Sequence, residues 1–233
     1  MSVQIEVLDD PASACSALML SAVLHGGDLV MTGGSTAGPA YEKLASALRD
    51  VGGDLGATTL WFGDERCVPP HDERSNYRLV KQTLLDPLSD LPAPTVMRIH
   101  GELGPAKAAD AYERQLQESG EPEFDLLLLG LGPDGHCASL FPDQPSLAER
   151  ARLVVGVEEA GLEPFVARVT LTLSGLALAK QTVFLATGES KADAVAAAFG
   201  PDAEPDPHVP ASMLVPLASE LKVLLDPAAA ARL

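Results

Sequence analysis

The sequence predicts a three-layer, Rossmann-like α/β fold, a mostly parallel sheet with helices on both faces, in one domain over residues 1–233. Strand-like and helix-like segments alternate along the chain, the order expected of parallel strands joined by helical crossovers. Phe124 to Leu129 is an unbroken apolar run, which suits a strand covered on both faces rather than on one. Glycine-rich turns follow several strands, and in open α/β sheets ligands bind beyond those carboxyl ends.

Composition narrows the class. Of 233 residues, 46% are hydrophobic, enough to bury a large core, and only 4% are aromatic, so that core is mainly aliphatic. No apolar run approaches the roughly 18 residues needed to span a bilayer. The N-terminal MSVQIEVLDD reads as a short strand followed by acids, not as a signal peptide. Cys15, Cys67 and Cys137 share no metal-type or redox-type spacing, and their odd number argues against a disulfide framework; a reducing cytoplasm is the simplest setting. The formal charge of −17 disfavours nucleic acid and anionic membrane as partners. A small anionic ligand remains compatible, because a local cluster of bases and amides outweighs a screened distant field.

In order, Val3 to Val7 reads as a strand and Pro11 to His25 as a helix with proline at a tolerated first position. Asp28 to Met31 is a strand, and a helix follows from about Pro39 to Leu48. Thr58 to Phe62 is a third strand, leading into the loop from Gly63 to Pro70. Ser75 to Leu85 is helical, 86–94 a proline-rich connection, Val96 to Ile99 a strand and Pro105 to Glu118 a helix. After Phe124 to Leu129 come strands at Leu153 to Val157, Val166 to Leu171 and Thr182 to Ala186, then a helix from Ser190 to Phe199. Gly200 to Pro210 is an acidic, proline-rich loop, and Lys222 to Leu225 a last strand.

Four strand ends carry residues suited to chemistry. Gly130-Leu131-Gly132-Pro133-Asp134-Gly135-His136 puts a carboxylate and an imidazole two residues apart, the elements of general acid–base catalysis. Thr32-Gly33-Gly34-Ser35-Thr36 joins a strand to a helix, where free N–H groups and the helix dipole favour a phosphate or carboxylate. No Walker lysine accompanies it, so a nucleoside triphosphate is not the ligand. In Gly63-Asp64-Glu65-Arg66, the guanidinium suits a phosphate, with Asp64 or Glu65 to orient it. Arg168 and Lys191 supply further positive charge. Each of these bases, taken singly, also reads as an ordinary surface charge. The run from Gly130 to Gly135 formally fits a dinucleotide fingerprint, but Pro142 and Pro145 forbid the helix that fingerprint requires, so NAD binding is rejected. Cys137 reads as a small buried filler, and the remaining histidines show no ligand spacing, so no metal site is expected.

Taken together and in order, Gly33-Gly34-Ser35-Thr36, Gly63-Asp64-Glu65-Arg66 with Ser75-Asn76, Gly130 through Pro142, Arg168-Val169-Thr170, Thr187 through Ala192 and Val209-Pro210-Ala211-Ser212 resemble the 6-phosphogluconolactonases across nearly the whole chain. Two positions depart from that family: Ala37 stands where proline is usual, and Cys137 where threonine is common. Neither touches the implied base or bases. The resemblance implies hydrolysis of 6-phospho-D-glucono-1,5-lactone in the oxidative pentose phosphate route, with no metal or cofactor. It implies His136 as the base acting on water, and Asp134 as the group that orients either His136 or the lactone hydroxyls. Gly33, Gly34, Ser35, Thr36, Asp64, Arg66, Arg168 and Lys191 are the implied substrate and phosphate ligands, in a cytoplasmic monomer or weak dimer. An amino-sugar-phosphate deaminase or isomerase, or a sugar-phosphate sensor without turnover, are the rivals on the same fold. The deaminases continue their Asp-Gly-His motif with Ile-Ala-Phe-Asn-Glu, where this chain has Cys137-Ala138-Ser139-Leu140-Phe141-Pro142-Asp143.

Overall fold

In the computed structural model, which describes residues 3–120 and 123–233, two sheets form. The strands are β1 (Gln4–Val7), β2 (Asp28–Met31), β3 (Thr59–Phe62), β4 (Asp64–Arg66), β5 (Thr95–Val96), β6 (Leu126–Gly130), β7 (Val154–Val157), β8 (Arg168–Leu171), β9 (Gln181–Ala186) and β10 (Glu220–Leu225). Seven of them make one sheet in the order β1-β10-β9-β6-β2-β3-β5, and every pairing in it is parallel. Residues 126–129 and 182–186 are buried without alternation, so both faces of the central strands are covered. The helices α1 (Pro11–Leu24), α2 (Ala37–Val51), α3 (Asn76–Val80), α4 (Pro105–Glu118), α5 (Leu173–Leu176), α6 (Ala192–Phe199) and α7 (Pro210–Leu214) connect the strands. Of these, α1 packs on α2, and α4 on β7 and β8. No described helix is long and apolar enough to cross a membrane.

The second sheet, β4-β8-β7, is antiparallel. The sequence predicts strands at Leu153 to Val157 and Val166 to Leu171 without assigning them to a sheet, and reads Asp64 to Arg66 as part of a loop. Three residues are too few to show a strand period, and only pairing with β8 makes them one. The helix after β2 begins at Ala37, two residues earlier than expected. Pro39 therefore sits in its first turn, where a missing N–H has no intrahelical partner to lose. The strand expected at Val96 to Ile99 is only Thr95–Val96, and between His136 and β7 there is no α-helix, only a 3₁₀ turn at Pro145–Ala148, as the prolines required.

Two buried tyrosines fix the strand ends that matter. The Tyr41 hydroxyl accepts from Thr32 N at 2.9 Å and donates to Thr32 O at 2.7 Å, just beyond β2. Tyr112 does the same for Phe62, the last residue of β3, at 2.8 and 3.1 Å. Each phenol ends its strand's ladder with satisfied backbone groups and packs in the core, where Trp61 lies edge-on to Tyr112 and against Phe124.

Candidate active site

β6 and β2 are neighbours from which the chain leaves in opposite directions, toward β9 on one side and β3 on the other. Turns after adjacent parallel strands meet there without obstruction. The turns after β2, β6 and β9, together with β4 and β8, enclose a cavity of about 200 Å³. Gly33, Gly34, Ser35, Thr36, Asp64, Arg66, His136, Arg168 and Lys191 all line it. Asp134 does not; it stands behind the imidazole.

The Asp134 carboxylate meets His136 Nδ1 at 2.6 Å and accepts from the His136 backbone N–H at 3.2 Å. Burial opposes its ionisation, but the bonds and charge of His136 outweigh it and hold the carboxyl below its usual range. With Nδ1 committed to Asp134, Nε2 is left as the proton acceptor. The turn is built to this shape. Gly132 N donates to His136 O at 2.8 Å, and a Cβ on Gly132 would lie 2.0 Å from His136 Nδ1. Phe141 packs on the ring with centroids 4.8 Å apart. Cys137 is fully buried, and burial pushes its thiol up to about 12, which leaves it an inert filler at neutral pH.

The cavity is also lined by three cations, Arg66, Arg168 and Lys191. Arg66 and Arg168 face each other in register across β4 and β8. Arg168, 3% exposed, donates from Nε to Val166 O and from Nη2 to Pro164 O. Burial, and then the neighbouring Arg66 guanidinium, pull its pKa down to about 10, so it stays charged at neutral pH. Arg66 donates from Nη1 to Arg74 O at 2.6 Å, and its buried Nε has no partner. Lys191 is lowered by burial, which Asp134 partly offsets. Among the described residues none of these three cations has an ion-pair partner, in a chain that carries 33 acids. No described residue accepts from the N–H groups of Gly34, Ser35 or Thr36, and Thr36 precedes α2 without a side-chain cap. Such a wall is complementary to a dianionic group.

The expected orienting of the Arg66 guanidinium by Asp64 or Glu65 is not what the chain does. Glu65 is a buried hub that accepts from Arg66 N, Asn76 N, Tyr77 N and Ser75 Oγ. Asp64 accepts from Asn76 Nδ2 at 2.9 Å and from Ser139 Oγ at 2.6 Å, so both its oxygens serve protein donors. Asp64 thereby ties the segment after His136 to β4 and α3. Asn76 in turn abuts Gly33, where a Cβ would meet Asn76 Oδ1 at 1.8 Å. Ser139 was not singled out from sequence. Its partner lies 75 residues away, and no local pattern marks a contact of that span. Among the described residues no group of three or more His, Cys, Asp or Glu is placed to hold a metal.

An oriented imidazole facing unpaired cations at the strand ends of a parallel sheet defines an α/β protein that handles a small anionic ligand. The chain belongs to the family of glucosamine-6-phosphate isomerases and 6-phosphogluconolactonases, whose model matches residues 13–223. It is 40% identical over 207 residues to the 6-phosphogluconolactonase of Homo sapiens, covering 87% of this chain and 79% of that one. To the 6-phosphogluconolactonase of Mycobacterium leprae it is 37% identical over 212 residues, covering 87% and 83%. The solved 6-phosphogluconolactonase of Trypanosoma cruzi superposes with a TM-score of 0.83 at 28% identity, over 100% of this chain and 98% of that one.

Proposed function

We propose that the chain hydrolyses 6-phospho-D-glucono-1,5-lactone to 6-phosphogluconate, within the oxidative pentose phosphate pathway and in the cytoplasm. The observation that carries this reading is one cavity lined by a carboxylate-oriented imidazole and by three cations that have no carboxylate partner among the described residues. The lactonase names of relatives at 37–40% identity select this substrate over the amino sugar phosphates handled elsewhere in the family.

In this mechanism His136 Nε2 takes a proton from water as its oxygen adds to the lactone carbonyl carbon. Asp134 holds the Nδ1 proton and stabilises the imidazolium that forms. The tetrahedral intermediate collapses with cleavage of the bond to the ring oxygen, which takes the proton back from His136. The free acid then ionises to solvent. Arg66, Arg168, Lys191 and the N–H groups of the Gly33 to Thr36 turn hold the phosphate, fixing the carbonyl beside the imidazole. Asp64 holds the walls in place.

The test is loss of lactone, generated in situ from glucose 6-phosphate, against its spontaneous hydrolysis. Wild type should exceed the background strongly. His136→Ala should lose roughly 10²–10⁴-fold in kcat while binding 6-phosphogluconate within a few-fold of wild type. No acceleration by folded wild type, with turnover of glucosamine 6-phosphate instead, would overturn the reading.

A further inference from the structure

Between His136 and Phe141 the chain doubles back. Leu140 N donates to Cys137 O at 3.0 Å, which closes a two-residue reversal over Ala138 and Ser139. That reversal returns Phe141 to the His136 imidazole, with ring centroids 4.8 Å apart. Its first central residue, Ala138, has φ 50°, a left-handed backbone that glycine adopts freely and alanine resists. Among the described residues only Asp143 shares that feature without being glycine. An alanine stays there where its surroundings over-determine the turn. Here they act through Ser139, which is fully buried and does not line the cavity. Ser139 N donates to Thr170 Oγ1 at 3.2 Å, and Ser139 Oγ to Asp64 Oδ2 at 2.6 Å. Asp64 and Thr170 are register partners across β4 and β8, so one pair of the antiparallel sheet grips the turn at two points.

Resting on the lactonase reading, we propose that Ser139 is a positioning residue for the base: its two bonds hold Ala138 in the left-handed turn that lays Phe141 over the His136 imidazole. The bond to Asp134 fixes Nδ1 but leaves the ring plane free to rock about it; Phe141, itself buried, blocks that motion from one face. Strain at Ala138 drives the turn toward opening, and the anchors of Ser139 oppose it. Loss of the Asp64 anchor releases the strain, withdraws Phe141 and misaims Nε2. Asp64 keeps its bond to Asn76, so the frame behind Arg66 stays. A misaimed base lowers kcat and leaves ligand affinity in place.

The test compares Ser139→Ala alone with Ser139→Ala in an Ala138→Gly background. Glycine takes the left-handed turn without strain, so it removes the need for the anchor. Ser139→Ala alone should lower kcat for the lactone roughly tenfold, with the calorimetric Kd of 6-phosphogluconate within about threefold of wild type. In the Ala138→Gly background the same substitution should lower kcat by less than about twofold. Proton–carbon NMR of the His136 ring reads the contact directly, because the ring current of Phe141 displaces those resonances. The displacement should shrink in Ser139→Ala and return in the double variant. Equal losses of kcat and affinity overturn the proposal, as does a loss that Ala138→Gly does not relieve, or a His136 signal that does not move. Where Ser139→Ala does not fold, Phe141→Leu, which keeps both anchors, decides. It should reproduce the kcat loss at unchanged affinity, and an unchanged kcat overturns the proposal. A wild type with displaced His136 resonances but no lactone hydrolysis would refute the reaction assignment, while the NMR comparison would still decide the role of Ser139.

Discussion

The two walls of the cavity handle charge in opposite ways. On the imidazole side every group is matched: Asp134 pairs with His136, Gly132 closes the turn, and Phe141 covers the ring. On the cationic side two arginines sit in register, neither in an ion pair among the described residues and one with an orphaned Nε. Matched charges fix a geometry, whereas unmatched ones store an affinity that only an anion satisfies. The contrast implies that damage to the first wall appears in kcat and damage to the second in KM.

The sharpest way to break that contrast is Gly132→Ala. Its Cβ forces the His136–Asp134 pair out of position, and kcat should fall about 10²–10³-fold with 6-phosphogluconate affinity kept within about threefold. Steady-state kinetics beside calorimetry decides it; equal losses in both would merge the two walls. On the other side, Arg168→Ala and Arg66→Ala should each raise KM roughly 10–100-fold with smaller changes in kcat. Because each guanidinium repels the other, the double variant should lose less than the product of the single losses, a cycle measurable in KM.

Stability separates the walls further. Glu65 is driven toward its protonated form by burial, against four hydrogen bonds that favour its ionised form. Glu65→Gln turns an amide toward those donors and should cost about 2–3 kcal/mol, read as a lower urea midpoint at unchanged m. Asp134 gives the smallest effect. Its folded pKa lies below the unfolded value of about 3.9, so its contribution is full above that pH and fades as pH falls through the folded value. Partial exposure limits this to under about 1 kcal/mol. The stability difference between wild type and Asp134→Asn should therefore be present at pH 7 and shrink at pH 3, by denaturant titration at both.

Much of the site was legible because its turns are local. Gly33 to Thr36, Gly130 to His136 and Thr187 to Lys191 each follow a recognisable strand, and the rule of strand ends gathers them into one cavity. Local pattern could not assign partners. Asp64 reads as an arginine orienter from its neighbour at two residues' distance, yet its bonds go to Asn76 and Ser139. Asp134 and His136, two residues apart, do meet, since a turn that short brings them into contact.

By itself the sequence determined the order of strands and helices, the buried character of β6 and β9, the glycine turns and the scarcity of cations. Apolar runs, prolines and glycines act within a few residues, and those effects are written in neighbouring letters. Only the tertiary structure decided that β4 leaves the parallel sheet to pair with β8. That pairing sets Arg66 against Arg168 and commits Asp64 to the frame. These are matters of register and of which buried donor reaches which acceptor, settled by packing residues far apart in sequence, where no local propensity acts.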